Sequence, residues 1–186
     1  MPYQAWEVTT PGQLNLATLD SIPKPGPNQV LVRIHAAALN YRDILVINHD
    51  PNYLVKTKKD LIPGADGAGE IHEVGQGSNW QKGDRVIVHP NTWMTGSDVA
   101  DYRLDLTTGG GDVDGTFTQY MLLDDDRVFS APAHLSYEEA CTVVTAGVTA
   151  YNGLFYGEPK VGPGMTVLTQ GTGGVSCYAI MVRQAL

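Results

Sequence analysis

The stretch IPGADGAGEIHEVGQGSNWQKGDRVIV, Ile62 to Val88, decides how the chain is read. Within it, GAGEIHEVG from Gly67 and DRVIVHP from Asp84 are short apolar runs closed off by glycine and proline, the punctuation of strands in a turn-rich β domain. The same pattern continues outward. Tyr3 to Thr9 predicts a strand, Pro11-Gly12 a turn, and Leu14 to Leu19 a strand that pairs back. PKPGPNQ, Pro23 to Gln29, carries three prolines without N–H donors and predicts a surface loop. VLVRIHAAALN, Val30 to Asn40, alternates and then turns wholly apolar, as a strand does on entering a covered core. FTQYMLL from Phe117 returns to strand. Asn91 to Asp114 is polar and Gly-rich, holds TTGGGDVDG, and predicts a long mobile excursion.

Composition narrows the classes. The chain has 186 residues, 42% hydrophobic and 17% charged, enough to bury a core of one domain or slightly more. Lys plus Arg number 12 against 20 Asp plus Glu, a formal charge of -8. That sign disfavours phosphate backbones and anionic lipid, so neither nucleic acid nor a membrane is an expected partner. Cys141 and Cys177 stand far apart with no CxxC spacing, which predicts two buried, reduced thiols rather than a zinc knuckle or a disulfide. The N-terminus has no basic region followed by an apolar one, and no apolar run approaches about 18 residues. The expected location is cytoplasmic.

The pattern changes at Ser136. SYEE reads as a capping box, Ser136 with Glu139, opening a helix through Ala140, Val143 and Val144. After KVGPG, Met165 to Gln170 (MTVLTQ) predicts a short apolar strand, then GTGGVS and an apolar helix from Val175 to Leu186. Strand, glycine turn and helix in that order open a nucleotide-binding βαβ unit, with Gly171, Gly173 and Gly174 letting the backbone approach a pyrophosphate at the helix N-terminus. Tight packing of helix on strand explains the same glycines. The predicted division is a first domain over residues 1–127 and a second segment over 128–186.

In this order the motifs resemble the medium-chain dehydrogenase/reductase superfamily, and within it the zinc-free quinone-oxidoreductase-like and enoyl-reductase-like branch. AALNYRDILVI, Ala37 to Ile47, is similar to the family's strand-to-helix catalytic turn, and Ile62 to Val88 to its long signature. SYEEACTVVTAGVTAYNGL, Ser136 to Leu154, is similar to its interdomain helix, and PGMTVLTQGTGGVS, Pro163 to Ser176, to its nucleotide-binding turn. The resemblance implies a mainly β fold with an α/β tail: a GroES-like β-barrel catalytic domain followed by a Rossmann segment, with NADPH between them. A complete relative continues for roughly as many residues again, so the Rossmann unit is expected to be incomplete and truncated after its first strand and helix. Its nucleotide site is then incomplete, and its exposed half-sheet predicts a homodimer.

By the same resemblance, the catalytic zinc ligands of metal-dependent relatives correspond here to Asn40, Ala65 and Thr145. Ala65 has no donor atom, and amide or hydroxyl oxygens are poor zinc ligands beside thiolate and imidazole, so no metal is expected. Nor does Pro90 to Phe117 hold the four cysteines of a structural zinc lobe. Its acids, Asp98, Asp101, Asp105, Asp112 and Asp114, do not follow a calcium-loop spacing and read as a solvated loop. Polarising a carbonyl or enone then falls to hydrogen-bond donors, for which Asn40 and Tyr41 are best placed, with Tyr41 able to return a proton to an enolate. Packing of the Tyr41 ring at the barrel mouth is the structural alternative. Arg42 and Asp43 read as a buried ion pair tying the turn down. Thr145 and Thr149 lie four apart on one helix face; the resemblance points Thr149, with Gly171, Gly173, Gly174 and Val175, at the cofactor, while helical threonines also bond their own backbone. The five histidines lie at no ligand or triad spacing, and His89 before Pro90 is the one to watch.

Two functions follow. One is a zinc-independent NADPH-type oxidoreductase reducing small enones, quinones or carbonyls. The other is a cofactor-free isomerase, lyase or cyclase using the same cleft through groups such as Tyr41.

Overall fold

A computed structural model describes residues 1–90 and 103–184. The chain divides into two compact units, Met1–Cys141 and Thr142–Leu186, so the first unit extends past Arg127, where the sequence reading ended the first domain. The reason is local. Ser136 accepts from the Glu139 N–H (3.1 Å) and Glu139 returns a bond to the Ser136 N–H (2.8 Å), completing the capping box. The helix so opened places the Tyr137 ring against His35, stacked at 4.5 Å, with the Arg85 guanidinium 4.6 Å from the same ring.

The first unit is mainly β. Strands β1 (Tyr3–Thr10) and β2 (Gln13–Leu19) form an antiparallel hairpin around Gly12, whose φ of 79° is the left-handed value a tight turn requires. The second sheet has the order β6-β3-β4-β5-β7, with β3 Gln29–Ala38, β4 Asp66–Val74, β5 Arg85–Val88, β6 Tyr120–Asp124 and β7 Val128–Ser130. All its pairings are antiparallel. Val30, Val32, Ile71, Val86, Val88, Met121, Leu123 and Val128 form its core. β3 and β4 approach so closely that a Cβ on Gly69 would lie 2.0 Å from the Arg33 carbonyl oxygen, so only glycine fits there.

Three expectations change in this unit. The apolar end of β3 was expected in a covered core, but β6 pairs only with Gln29–Arg33, and beyond it Ala36 and Ala38 are part-exposed while Ala37 and Leu39 are exposed, Leu39 at 82%. This end lines an apolar cavity of about 580 Å³ with Trp6, Leu14, Leu16 and Phe117. The predicted mobile excursion is packed where it is described: Thr107, Thr108, Gly109, Gly110 and Gly111 are buried. Arginines from elsewhere in the chain satisfy its carbonyl groups, buried Arg127 reaching Leu106 O and half-buried Arg42 reaching Thr108 O. Asp98 and Asp101 lie outside the described residues.

The second unit starts with a π-helical stretch, Val143–Val148, continued by α3 (Thr149–Phe155); the two earlier helices are α1 (Tyr41–Ile47) and α2 (Tyr137–Ala140). The predicted strand at Met165 to Gln170 does not form. The segment has no sheet partner among the described residues, and a lone strand cannot satisfy its own backbone. α4 follows over Gly174–Gln184, starting one residue before the predicted Val175. Ala150 and Leu154 of α3 pack against Ala179, with Val161, Val167, Tyr178 and Val182 around them. Among the described residues, no helix is long and apolar enough to cross a membrane.

Candidate active site

β3 gives way to α1 at Asn40, the N-cap residue, whose backbone is still extended (φ -119°). The helix starts because Asp43, three residues on, accepts from the Asn40 N–H at 2.8 Å and neutralises one of the orphan donors of the turn. Asp43 is 2% exposed. Burial pushes its carboxyl above the usual carboxylate range, and the Asn40 N–H, the Arg42 charge and the Ala65 N–H pull the other way. The expected ion pair is present: Arg42 Nη2 lies 3.2 Å from Asp43 Oδ1 and donates to Thr108 O at 2.9 Å. Its Nε and Nη1 are buried with no partner among the described residues.

The Asn40 side chain reaches the first residue of β4. Its Nδ2 donates to Asp66 Oδ2 at 3.0 Å, and Asp66 is 1% exposed. The β register explains the meeting, since Ala38 pairs with Asp66 and Asn40 follows two residues later. Asp66 is itself held: its backbone oxygen accepts from Thr116 Oγ1 at 2.9 Å, and Thr116 packs so tightly that a Cβ on Gly67 would lie 2.7 Å from its methyl carbon. Ala65, beside it, is buried, and its methyl side chain has no atom that could ligate a metal. Cys141 is buried too, and burial, with Asp66 and Glu138 charges behind it, pushes its thiol up to about 11. It stays protonated at neutral pH, donating weakly to Glu138 O (3.2 Å).

Tyr41 opens α1 and is 74% exposed, so its ring does not pack into the core of this unit. Structure therefore brings Asn40, Asp43 and Asp66 together and leaves Tyr41 beside them on the surface. Sequence reading missed Asp66. The signal was an acid inside GADGAG, among residues too small to shield it from a neighbouring backbone. His89 packs its ring edge-on to Phe129, 6.1 Å away.

In the second unit, Thr145 lies in the π-helical stretch and Thr149 opens α3. Thr149 Oγ1 donates to Thr145 O at 2.6 Å, so its hydroxyl bonds its own helix, which is the backbone alternative. Gly171 has φ +81° and, like Gly173, has open space where a Cβ would stand. Gly174 starts α4 close to the preceding helix, a Cβ there lying 2.9 Å from the Ala146 methyl. Val175 is 44% exposed beside them. An open glycine turn leading into an eleven-residue helix suits a pyrophosphate, whose charge the helix N-terminus favours. Cys177, expected to be buried, is exposed on the first turn of α4. Among the described residues, no three His, Cys, Asp or Glu side chains converge as a metal site.

Comparison with known proteins places this architecture. The model of the alcohol dehydrogenase GroES-like domain matches residues 26–133. The chain belongs to that family, and with it to the medium-chain dehydrogenase/reductase superfamily. Among its relatives, a zinc-type alcohol dehydrogenase-like protein of Schizosaccharomyces pombe is 39% identical over 164 residues, 87% of this chain and 46% of the relative. An alcohol dehydrogenase of Geobacillus stearothermophilus is 35% identical over 173 residues, 88% of this chain and 50% of the relative. The thermostable alcohol dehydrogenase of Pyrobaculum aerophilum superposes with a TM-score of 0.82 at 25% identity, covering 100% of this chain and 57% of that one. This GroES-like family member spans about half the length of the curated relatives it matches.

Proposed function

We propose that the chain is the catalytic part of a nicotinamide-dependent oxidoreductase that reduces small enones, quinones or carbonyls without a catalytic zinc ion. The observation that carries this reading is the Asn40 amide bonded to Asp66 beside Ala65, whose side chain has no metal-ligating atom. A zinc site needs thiolate or imidazole at such positions, and an amide committed to a carboxylate and a methyl group supply neither. The donor set does not suit zinc, although the name of the fission-yeast relative says zinc-type.

The nucleotide suits the chain better. Gly171, Gly173 and Gly174 at the start of α4 would hold its pyrophosphate, with Val175 alongside. When bound, NADPH supplies a hydride. The chain's own residues supply the rest. The remaining Asn40 amide N–H and the Tyr41 hydroxyl donate hydrogen bonds to the substrate oxygen, stabilising the negative charge that builds there. Tyr41 can pass its proton to an enolate and recover one from water, being open to solvent. Buried Asp43 and half-buried Arg42 keep the turn in shape while this happens.

The remaining parts of the proposal are a small organic substrate, a homodimer and a cytoplasmic location. The dimer is supported by exposed apolar side chains in the second unit, Leu168 at 85% and Met181 at 61%.

Titration with NADPH tests the reading. Saturation at a hundred times Kd raises stability by about 2.7 kcal/mol, and reduction of an enone or quinone with NADPH should survive a metal chelator. No stabilisation at millimolar NADPH, or activity lost to the chelator and restored by zinc, overturns it. A second reading, a cofactor-free isomerase, lyase or cyclase, is favoured by the Met165 to Gln170 segment, which among the described residues has no sheet partner beside the glycine turn. Conversion of substrate in nucleotide-free buffer would select it.

A further inference from the structure

Asn40 is held at two points by two buried carboxylates. Asp43 takes its backbone N–H at 2.8 Å, and Asp66 takes its side-chain Nδ2 at 3.0 Å. An asparagine amide has two donors on nitrogen and an acceptor oxygen, and the two ends are nearly equal in size, so its polarity in a site is set by its partners. An ionised carboxylate only accepts. Here Asp66 Oδ2 takes Nδ2, the nitrogen end of the Asn40 amide.

We infer that Asp66 is a positioning residue that fixes the polarity of the Asn40 amide. Asp66 cannot swing away to accommodate the reverse orientation. It begins β4 opposite Ala38, its backbone oxygen is held by Thr116, it is 1% exposed, and Gly67 lets Thr116 close over it. With one N–H committed to Asp66 and the backbone N–H committed to Asp43, the amide plane is set, and the second N–H is offered in one direction only. Of the two groups assigned to the substrate oxygen, Asn40 is thus preorganised while Tyr41, largely in solvent, is not. This selects ligands that present an acceptor, such as a carbonyl oxygen, at the Asn40 position. That last step rests on the proposed function; the fixed amide does not.

The variant Asp66→Asn separates the two. It keeps shape, but asparagine at that place both donates and accepts, so either end of the Asn40 amide can face it. In wild-type protein the Asn40 side-chain amide should give one set of ¹⁵N–¹H signals, with one of its two protons exchanging with solvent much more slowly than the other. In Asp66→Asn a second set or exchange broadening should appear with little change in melting temperature. Turnover, where present, should show kcat/KM lower by about three- to tenfold, the cost of one misoriented hydrogen bond, and Asp66→Glu should recover part of it. A single unchanged set of Asn40 signals in Asp66→Asn, or, where that variant does not fold, equal exchange of the two protons in wild-type protein, overturns the inference. A loss beyond a thousandfold does so as well, because Asp66 would then be acting on the substrate itself. Altered Asn40 signals in a protein that reduces nothing with NADPH would leave the fixed amide standing and remove the proposed reaction.

Discussion

Replacing Asp43 with alanine should destabilise the first unit more than any other single change at the site. The carboxyl accepts from the Asn40 N–H, bonds Arg42 at 3.2 Å, and is 2% exposed. Its removal leaves the guanidinium without its anion and the N-terminal turn of α1 without its cap. Breaking a buried pair by deleting one partner costs about 3–5 kcal/mol. The low end applies, because the Arg42 side chain is 21% exposed and keeps the Thr108 carbonyl. A loss of about 3 kcal/mol corresponds to a fall of about 6–12 °C in melting temperature for a chain of this size. Trp6 and Trp80 both lie in the first unit, so tryptophan fluorescence during heating follows the unit concerned without assuming that the whole chain melts in one step. Asp43→Asn, which keeps an acceptor for the Asn40 N–H, should lose less. If Asp43→Ala melts within 2 °C of wild type, or if the asparagine variant is the worse of the two, the buried pair is not what holds this turn.

Other outcomes follow from the same geometry. Burial lifts the Asp43 carboxyl above its ordinary 3.8, so the folded state holds that proton more tightly than the unfolded chain. Its contribution is full below the ordinary value and is lost as pH rises through the folded value, so wild type should gain on Asp43→Asn as pH falls from 7 toward 4, measured by urea unfolding. Native protein should react with Ellman's reagent at Cys177 alone, Cys141 joining only in denaturant, since it is buried with a thiol near 11. Two thiols reacting at equal rates in native protein would contradict that burial. Gly69→Ala should cost about 3 kcal/mol or more, because its Cβ would meet the backbone of Arg33 and Ile34 rather than a side chain that can swing aside; a calorimetric change under 1 kcal/mol would show that β3 and β4 can separate.

Much of the first unit was legible because its strands are short, apolar and bounded by glycine and proline, signals that need no distant partner. The hairpin around Gly12, β4, β5 and the Ser136 capping box all follow from neighbours in sequence. What failed depended on neighbours elsewhere. Met165 to Gln170 reads as a strand, but a strand needs a second backbone, and none of the described residues supplies one. Ala36 to Leu39 reads as core, but burial depends on what covers the far side. TTGGG reads as a solvated loop because its glycines and threonines are polar in tabulation; two arginines distant in sequence, Arg42 and Arg127, convert it to a buried floor. At the site, Asn40 and the Arg42–Asp43 pair were visible in NYRD. Asp66 was not, because only the β3–β4 register brings residues 26 apart in sequence to hydrogen-bonding distance.

The wide turn at Val143–Val148 has a consequence for the unit that follows it. A helix is a screw, and this stretch holds more residues per turn than the thread after it. Deleting one residue there would rotate everything downstream by about 100°. α4 packs against both sides of that stretch, Gly174 close to the Ala146 methyl and Ala179 against Ala150 and Leu154 of α3, and after such a deletion it could keep only one of the two contacts. The spacing of those six residues, more than their individual chemistry, therefore decides whether one helix can lie against both.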